Sequence, residues 1–435
     1  MKVKVIGAGL AGAEAALYLA RRGVKVELYD IKPKAFTPAH KSENFAELVC
    51  SNSLKSKDVF GNAAGLLKEE MRLLGSITME AAEYSKVPAG GALAVNRETF
   101  SEYVTEKIKS NGNIEFISEE IKEVPTDGFT LIATGPLTTA SLSESIKNLA
   151  GSLYFYDASA PIIAADSIDM EYTFVADRYN RGDGDHINCP MNKDEYEAFY
   201  AALISAERAT MHVFEKSEVF EGCMPVEVMA ARGKDTLRFG PLKPVGLDDP
   251  KTGRWAYATL QLRKEDKNGT MYNMVGFQTN LKWGEQKRVF SMIPALKNAE
   301  FLRYGVMHKN TFIDSPEVLN SDYSFRTRPN LFIAGQITGV EGYVESAGSG
   351  LLAAIYLERR LNGKSEVQIS ENTVLGALAR YVATPNKDFQ PMNANFGILP
   401  PVSVRDKKER KRIAAERSLS DVKKFIKETI QGENI

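Results

Sequence analysis

Residues 2–30 read KVKVIGAGLAGAEAALYLARRGVKVELYD, and their order of residue types predicts how the N-terminal part of the chain folds. Lys2 to Ile6 is rich in β-branched residues, too short for a helix, and leads directly into the glycine-bearing turn 7–12. Small and apolar residues then recur at helical spacing from Ala13 to Arg22, and a second strand follows over 24–29. The stretch therefore predicts a strand, a tight turn, a helix and a second strand, which together form a βαβ unit.

The three glycines of the turn have separate uses in binding a dinucleotide. Gly7 permits the turn, Gly9 lets the backbone approach a pyrophosphate, and Gly12 lets the helix pack closely on the strand. The helix N-terminus offers N–H groups and a positive dipole to the phosphates, and Asp30 would bind the ribose hydroxyls. The alternative is a glycine-rich turn that serves packing alone, and the motif does not separate FAD from NAD. The cofactor-binding residues predicted here are Gly7, Ala8, Gly9, Leu10, Ala11, Gly12 and Asp30.

Length and composition are those of a globular protein with two domains. The chain has 435 residues, which is too long for one ordinary core. Its 43% hydrophobic and 26% charged residues are typical of soluble proteins, and no apolar stretch is long enough to cross a bilayer. The N-terminus reads as a strand and not as a secretion signal, so we expect a cytoplasmic protein without a membrane partner.

Net charge and cysteine content limit which partners and which structural sites the sequence predicts. A net charge of −1 gives no overall attraction to nucleic acid, so an RNA partner would need a local basic surface. Cys50, Cys189 and Cys223 are an odd and sparse set, which argues against a disulfide framework. No two cysteines have C-x-x-C spacing and the four histidines are scattered, so we expect no metal site.

Two later strands end on glycine and belong with the first unit. They are predicted over 129–136 and 331–336, and the second is followed by the glycine-bearing stretch 339–350, which opens a helix over 351–361. This second helix N-terminus suits the flavin end of a long cofactor, although packing alone could also explain its glycines. The cofactor-binding residues predicted here are Gly335, Gln336, Gly342, Tyr343 and Val344.

The middle of the chain has a different character. Aromatic residues interleave with charges, 195–215 predicts a long helix, and 256–262 and 271–277 predict strands. A charged helix over 405–417 is interpreted as a solvated face, with a phosphate-contacting edge as the alternative. The predicted division is a first FAD-binding segment over 1–136, an inserted α+β substrate domain over 137–302, a second FAD-binding segment over 303–365, and a C-terminal helical region over 366–435 that associates with the FAD-binding domain.

These features together resemble the Rossmann-like α/β fold that binds FAD in proteins of the glutathione-reductase type. More closely, the chain resembles the folate- and FAD-dependent tRNA (uracil-5-)-methyltransferases. The motifs that carry this resemblance occupy residues 5–30, 37–40, 45–54, 220–227, 238–246 and 331–352. The motifs around Cys50 and Cys223 are specific to that family, whereas flavoproteins that modify the tRNA wobble uridine share only the nucleotide-binding segments. Asp30 stands where glutamate is common in the family, a change that keeps the carboxylate.

The resemblance implies a reaction and its cofactors. A methylene from 5,10-methylenetetrahydrofolate would be carried by reduced FAD to C5 of a uridine in the tRNA T-loop and reduced to methyl, with NAD(P)H regenerating the flavin. Uracil C5 is a poor nucleophile, so a thiolate must first add to C6, and a base must later take the C5 proton. By resemblance, Cys223 is the nucleophile and Cys50 the second thiol, either the base or a temporary holder of the methylene. Cys189 lies outside the family motifs and is interpreted as a small buried apolar residue.

Several further residues are candidates for substrate contact. A histidine can bond a ring oxygen, an aromatic ring can stack on a pterin or a uracil, and basic side chains can contact phosphates. These candidates are His308, Tyr343, Arg97, Lys282 and Arg288. The alternatives for function are the same chemistry on ribosomal RNA, a flavoprotein partner in wobble-uridine modification, and a flavin oxidoreductase acting on small molecules. A methyltransferase using S-adenosylmethionine is disfavoured, because that cofactor has no pyrophosphate.

Overall fold

The computed structural model describes residues 2–151, 153–180, 184–209, 224–265, 268–305, 307–386 and 389–431. The strands are β1 Lys2–Ile6, β2 Lys25–Asp30, β3 Ser53–Ser56, β4 Lys86–Val87, β5 Ala92–Val95, β6 Ile114–Ser118, β7 Phe129–Ile132, β8 Leu153–Ala158, β9 Ile162–Ala164, β10 Phe174–Val175, β11 His186–Met191, β12 Ala258–Lys264, β13 Met271–Met274, β14 Phe301–Arg303, β15 Met307–Phe312, β16 Ser324–Phe325 and β17 Arg328–Ile333. The helices are α1 Leu10–Arg21, α2 Ala63–Leu73, α3 Ile77–Tyr84, α4 Arg97–Lys109, α5 Ala140–Ala150, α6 Lys193–Ser205, α7 Val226–Ala231, α8 Thr236–Phe239, α9 Trp283–Phe290, α10 Ser315–Val318, α11 Tyr343–Leu361, α12 Val374–Tyr381 and α13 Lys407–Ile426.

The first βαβ unit forms the middle of a six-stranded sheet. The strand order is β16-β17-β7-β1-β2-β6, and β1 pairs in parallel with both β2 and β7. Val3, Val5 and Leu131 on these central strands are fully buried, as expected of a parallel sheet covered on both faces. The predicted βαβ unit is therefore confirmed, and the strands at 129–132 and 328–333 join the same sheet in parallel.

Helix α1 begins earlier than predicted. It starts at Leu10 and not at Ala13, so that Gly12 lies inside the helix. A Cβ on Gly12 would lie 1.8 Å from the carbonyl oxygen of Gly7. Glycine is therefore required here for contact between helix and turn, despite its cost of about 1 kcal/mol in a helix interior.

Helix α11 also begins before its predicted start, at Tyr343 and not at Leu351. It packs against α1, and a Cβ on Gly350 would lie 2.2 Å from the backbone oxygen of Ala11. The two helices thus meet backbone to backbone. Glycines that suggested a loop before the helix lie within the helix, because they permit this close contact.

The inserted segment builds a second sheet with its own core. Its strands follow the order β10-β11-β12-β13-β9-β14 and pair antiparallel throughout. Helices α6, α7 and α9 contribute Tyr196, Val226 and Phe290 to the apolar cluster on this sheet. Strands β8 and β15 form a separate antiparallel ribbon, and α12 and α13 join the core of the first sheet.

The division of the chain into four segments stays a prediction. Among the described residues, no helix combines the length and the apolar character that crossing a bilayer needs.

Two elements predicted for the inserted segment end earlier than predicted. The long helix predicted over 195–215 is α6, which ends at Ser205. The chain leaves the helix there because the next residues pair with another segment: Ala209 N–H donates to the Asn280 carbonyl at 2.8 Å. Residues 210–215 lie outside the described ranges of the chain. Strand β13 ends at Met274 and not at Phe277, before a turn in which Gly276 has φ +78°.

Lys68 of α2 is fully buried beneath β3. Its ammonium group donates to the carbonyls of Leu54 at 2.7 Å and Ala64 at 2.8 Å, and burial lowers its pKa to about 7. A lysine in an unfolded chain has a pKa of about 10.4. Between these two values the unfolded chain binds one more proton than the folded chain, so this group makes stability rise with pH.

Lys68→Met is expected to remove that contribution. The free energy of unfolding of the wild type should rise relative to that of Lys68→Met by about 2 to 4 kcal/mol between pH 7 and pH 10. Urea unfolding followed by circular dichroism at several pH values measures the difference, with exposed Lys57→Met as the control. A difference that does not change with pH would contradict the assignment.

Candidate active site and cofactor crevice

A first cavity opens where the strands of the βαβ unit end. Its lining includes Gly7, Ala8, Gly9, Asp30, His40 and Thr134. The carboxylate of Asp30 is fixed by backbone groups, because Oδ2 accepts from Ala8 N–H at 2.7 Å and Oδ1 from Lys32 N–H at 2.9 Å. The carboxyl ends of parallel strands are where such folds bind nucleotides. The cavity therefore brings Asp30 and the glycine turn together, as the sequence predicts.

The glycines of the turn differ in what surrounds them. Gly7 has φ +98°, and a Cβ there would lie 2.6 Å from the oxygen of Ala133, so the protein itself requires this glycine. Around a Cβ placed on Gly9 there is nothing within 4 Å. Packing within the described chain thus gives no reason for a glycine at this position, and the open space in front of it fits a dinucleotide phosphate.

A second cavity of about 250 Å³ adjoins the first. Both are lined by Leu137, so the two cavities lie beside each other, one at the ends of β1 and β2 and the other at the N-terminus of α11. We call the two cavities together the crevice. The second cavity is lined by Cys50, Ser51, Lys55, Gln278, Gln336, Gly342, Tyr343 and Val344, among others. A crevice with two such ends suits a long cofactor with a pyrophosphate in the middle.

Not every predicted cofactor residue lines the crevice. Leu10, Ala11 and Gly12 lie in α1 and serve its packing. Gly335 has φ +87°, and its N–H donates to Ser349 Oγ at 2.8 Å in a buried hydrogen bond. These positions shape the backbone that surrounds the cofactor site.

A buried carboxylate lies at the N-terminus of α11. Glu345 accepts at Oε1 from the Lys55 ammonium at 2.7 Å and from Ala394 N–H at 3.0 Å. Its Oε2 is buried and has no hydrogen-bond partner within the described residues. Because buried polar atoms are rarely left unpaired, this end of the crevice fits a ligand with polar edges.

Cys50 lies in the second cavity against Tyr343. The sulfur is 2.9 Å from the tyrosine oxygen, and the backbone N–H groups of Cys50 and Ser51 donate to that oxygen at 2.7 and 3.2 Å. Burial raises the pKa of Tyr343 well above its ordinary value, with the neighbouring Cys50 adding to the effect. The phenol therefore stays protonated at neutral pH.

Cys223 lies outside the described residues. The described chain resumes at Met224, and Val226 N–H donates to the carbonyl of Gln278 at 2.7 Å. Gln278 lines the same cavity as Cys50. The assignment of Cys223 as the nucleophile stays a prediction.

The basic residues predicted to contact substrate form ion pairs within the protein. Arg97 is largely buried and forms a two-pronged ion pair with Glu265 at 2.9 and 3.0 Å, so its guanidinium group serves a contact within the protein. Lys282 and Arg288 are half exposed, pair with Glu207 and Glu285, and line neither cavity.

His308 lies in β15, where its backbone pairs with Asp157, and its side chain is outside the described residues. Asn310 on the same strand lines the second cavity. Cys189 is fully buried in the second core, and burial raises the pKa of its thiol, in agreement with the small buried residue that we expected. The described residues contain no group of three or more histidine, cysteine or acidic side chains that could hold a metal ion.

Sequence reasoning missed several residues around Cys50. Arg263 and Arg303 contact the segment that carries it, and Glu265 pairs with Arg97. The predicted strand 256–262 stopped one residue before Arg263, which lies inside β12. A charged residue at the end of an otherwise apolar strand was the available signal.

Comparisons with known proteins agree on the family. The chain matches the family model "GIDA: Glucose inhibited division protein A" over residues 2–365. It is 58% identical to the "Methylenetetrahydrofolate--tRNA-(uracil-5-)-methyltransferase TrmFO" of Acetivibrio thermocellus, over 98% of each chain. The proteins of the same name from Caldicellulosiruptor bescii and Staphylococcus aureus are 58% and 56% identical, over 97% and 98% of this chain and 98% and 99% of theirs.

A solved structure shows the same fold. The structure of GidA from Aquifex aeolicus superposes with a TM-score of 0.69 at 16% identity, covering 97% of this chain and 73% of the other. The predicted fold class, an FAD-binding Rossmann-like α/β fold, is thereby confirmed. The chain belongs to the GIDA family, and its identity over nearly the full length places it within the group of methylenetetrahydrofolate--tRNA-(uracil-5-)-methyltransferases.

Proposed function

We propose that the protein methylates C5 of a uridine in the T-loop of tRNA, with 5,10-methylenetetrahydrofolate as the one-carbon donor, FAD as the bound cofactor and NAD(P)H as the reductant. The observation that carries the proposal is the position of Cys50 in one end of a crevice whose other end holds the dinucleotide-binding turn. The names of the relatives support the same activity. The protein would act in the cytoplasm on tRNA.

The residues of the crevice would divide the cofactor between them. The turn at Gly7 and Gly9 and the N-terminus of α1 would hold the pyrophosphate, and Asp30 the ribose. Gln336 and Tyr343 would flank the ring system, with the positive end of the α11 dipole beside it. When bound, FAD would supply the redox equivalents and the one-carbon transfer that the thiols cannot.

The two thiols would activate the uracil ring for methylation and then release it. Cys223 would add to C6 of uracil, so that the electron pair of the C5–C6 double bond becomes available at C5 for attack on the methylene carbon. A base would afterwards remove the C5 proton, and the C6–sulfur bond would break as the double bond re-forms. Cys50 would act either as that base or as a temporary holder of the methylene.

Transfer of labelled carbon tests the proposal. Purified protein with bound FAD would be incubated with NADPH, methylenetetrahydrofolate labelled in the methylene carbon, and a tRNA transcript. We expect label in 5-methyluridine from the T-loop and none in a transcript with cytidine at that position. Label in a ribosomal RNA fragment but not in tRNA would identify ribosomal RNA as the substrate instead of tRNA. Label that appears only after a second protein is added would favour the role of a partner in wobble-uridine modification.

A further inference from the structure

Three guanidinium groups surround the segment that carries Cys50. The carbonyl of Val49 accepts from Arg97 at 3.2 Å and from Arg303 at 2.6 Å. Arg263 donates to Ser51 Oγ at 3.0 Å and to Asn52 Oδ1 at 3.1 Å. Arg97 comes from helix α4, which packs in the first core, and Arg263 and Arg303 come from strands β12 and β14 of the second sheet. Side chains from both halves of the molecule thus contact the residues beside this cysteine. We call Arg97, Arg263 and Arg303 the arginine clamp.

The arginine clamp has more positive than negative charge. Glu265 pairs with Arg97, and no carboxylate among the described residues forms an ion pair with Arg263 or Arg303. Burial lowers the pKa of both, but an arginine still keeps its charge at neutral pH.

The other charged groups that line the cavity do not cancel this excess. Lys55 pairs with Glu345, so these two charges balance. Glu341 accepts from the neutral amide of Gln336 at 2.6 Å and keeps its own charge, which offsets one of the two excess positive charges of the arginine clamp. An excess of positive charge therefore remains around the sulfur.

The hydrogen bonds of Tyr343 decide which way its proton points. A tyrosine hydroxyl has one proton to donate and two lone pairs to accept with. Both acceptor positions are used by the backbone N–H groups of Cys50 and Ser51. The contact of 2.9 Å between the hydroxyl and the sulfur is therefore a bond in which the hydroxyl donates and Cys50 Sγ accepts.

We propose that Tyr343 and the arginine clamp hold Cys50 as a thiolate. An O–H donor aimed at sulfur and an excess of nearby positive charge both favour the anionic form of a thiol over the neutral form. The thiolate follows from these contacts alone. Its role in the reaction rests on the proposed function, and a thiolate suits both roles left open there. As the base, Cys50 Sγ takes the C5 proton, the C5–H electron pair re-forms the C5–C6 double bond, and the C6–S bonding pair leaves with the sulfur of Cys223. As the holder, the same anionic sulfur bonds to the electrophilic methylene carbon.

Alkylation of Cys50 as a function of pH tests the proposal. The protein with bound FAD would be treated with iodoacetamide between pH 5 and pH 10, and modification of Cys50 would be quantified by peptide mass spectrometry. We expect Tyr343→Phe and Arg303→Gln to slow the reaction at pH 7 at least tenfold, and to move the midpoint of the pH profile upward. Arg303→Lys should restore most of the rate, because it keeps the charge.

The profile separates charge from accessibility. If the substitutions do nothing except destabilise the thiolate, the alkylation rates of the variants and of the wild type converge near pH 10. If they alter access to the pocket, the rate changes at every pH. Tyr200→Phe is the matched control, because Tyr200 donates to the carbonyl of Ala230 on the inserted domain.

Unchanged midpoints in Tyr343→Phe and Arg303→Gln would overturn the proposal. If Tyr343→Phe loses its fold by circular dichroism, the two Arg303 variants decide. The assay needs neither RNA nor folate, so its failure is distinguishable from failure of the proposed methylation.

Discussion

Replacing Cys50 by alanine is expected to slow methylation of tRNA strongly, and replacing Cys223 by alanine is expected to abolish it. Loss of a general base lowers rates by about 10²-fold to 10⁴-fold, and loss of a covalent nucleophile removes the activated form of the uracil altogether. We therefore expect at least a 10²-fold decrease for Cys50→Ala and no detectable product for Cys223→Ala. Incorporation of labelled methylene into RNA under single-turnover conditions measures both.

Cys189→Ala is the matched control for both variants. Cys189 is fully buried on β11 in the core of the second sheet, so its replacement should lower stability modestly and leave the rate of methylation unchanged. All three variants should keep bound FAD, which the visible absorption spectrum reports. Full activity of Cys223→Ala would remove the assigned nucleophile, and full activity of Cys50→Ala would remove the second thiol.

The two variants should also differ in what they accumulate. If Cys50 is the base, Cys50→Ala can still form the bond between Cys223 and C6 but cannot lose the C5 proton. A covalent complex of protein and RNA should then persist on a denaturing gel, and Cys223→Ala should show none. Equal absence of the complex in both variants would favour the alternative in which Cys50 holds the methylene.

The elements of the fold that were predictable depend on residues close together in sequence. The βαβ unit follows from strand, glycine and helix signals within thirty residues, and β1 and β2 pair as those signals predict. The boundaries of α1 and α11 were not predictable in the same way. Glycines such as Gly12 and Gly350 normally indicate a turn, and only contact between the two helices explains why they lie inside helices.

The surroundings of Cys50 depend on contacts between distant residues. The bond from Arg303 to Val49 joins positions 254 residues apart, and the pair of Arg97 and Glu265 spans 168 residues. No periodicity or local motif carries that information. The cysteine itself was predictable from the family motif, whereas the charges that act on it follow only from how α4 and the second sheet pack against the segment that carries it.

The glycine turn provides a separate and large effect on cofactor binding. Gly9→Val is expected to keep the fold and to lose FAD, because a Cβ at this position has no atom of the described chain within 4 Å and Gly9 lines the first cavity, so the new side chain would take space needed by the cofactor. Its backbone angles, φ −71° and ψ −169°, are ordinary for valine. We expect the dissociation constant for FAD to increase at least tenfold, which is about 1.4 kcal/mol.

Gly12→Val should affect stability first and FAD binding only as a consequence, since its Cβ would lie 1.8 Å from the Gly7 oxygen. Moving α1 off the sheet should lower the free energy of unfolding by about 3 kcal/mol or more, with loss of FAD as a consequence. Urea unfolding of the protein without FAD measures stability, and titration of flavin fluorescence measures affinity. Gly112→Val, at an exposed turn with open space around it, is the control for both. If Gly9→Val binds FAD as the wild type does, the cofactor does not approach the backbone at this turn, and the crevice must bind it in another way.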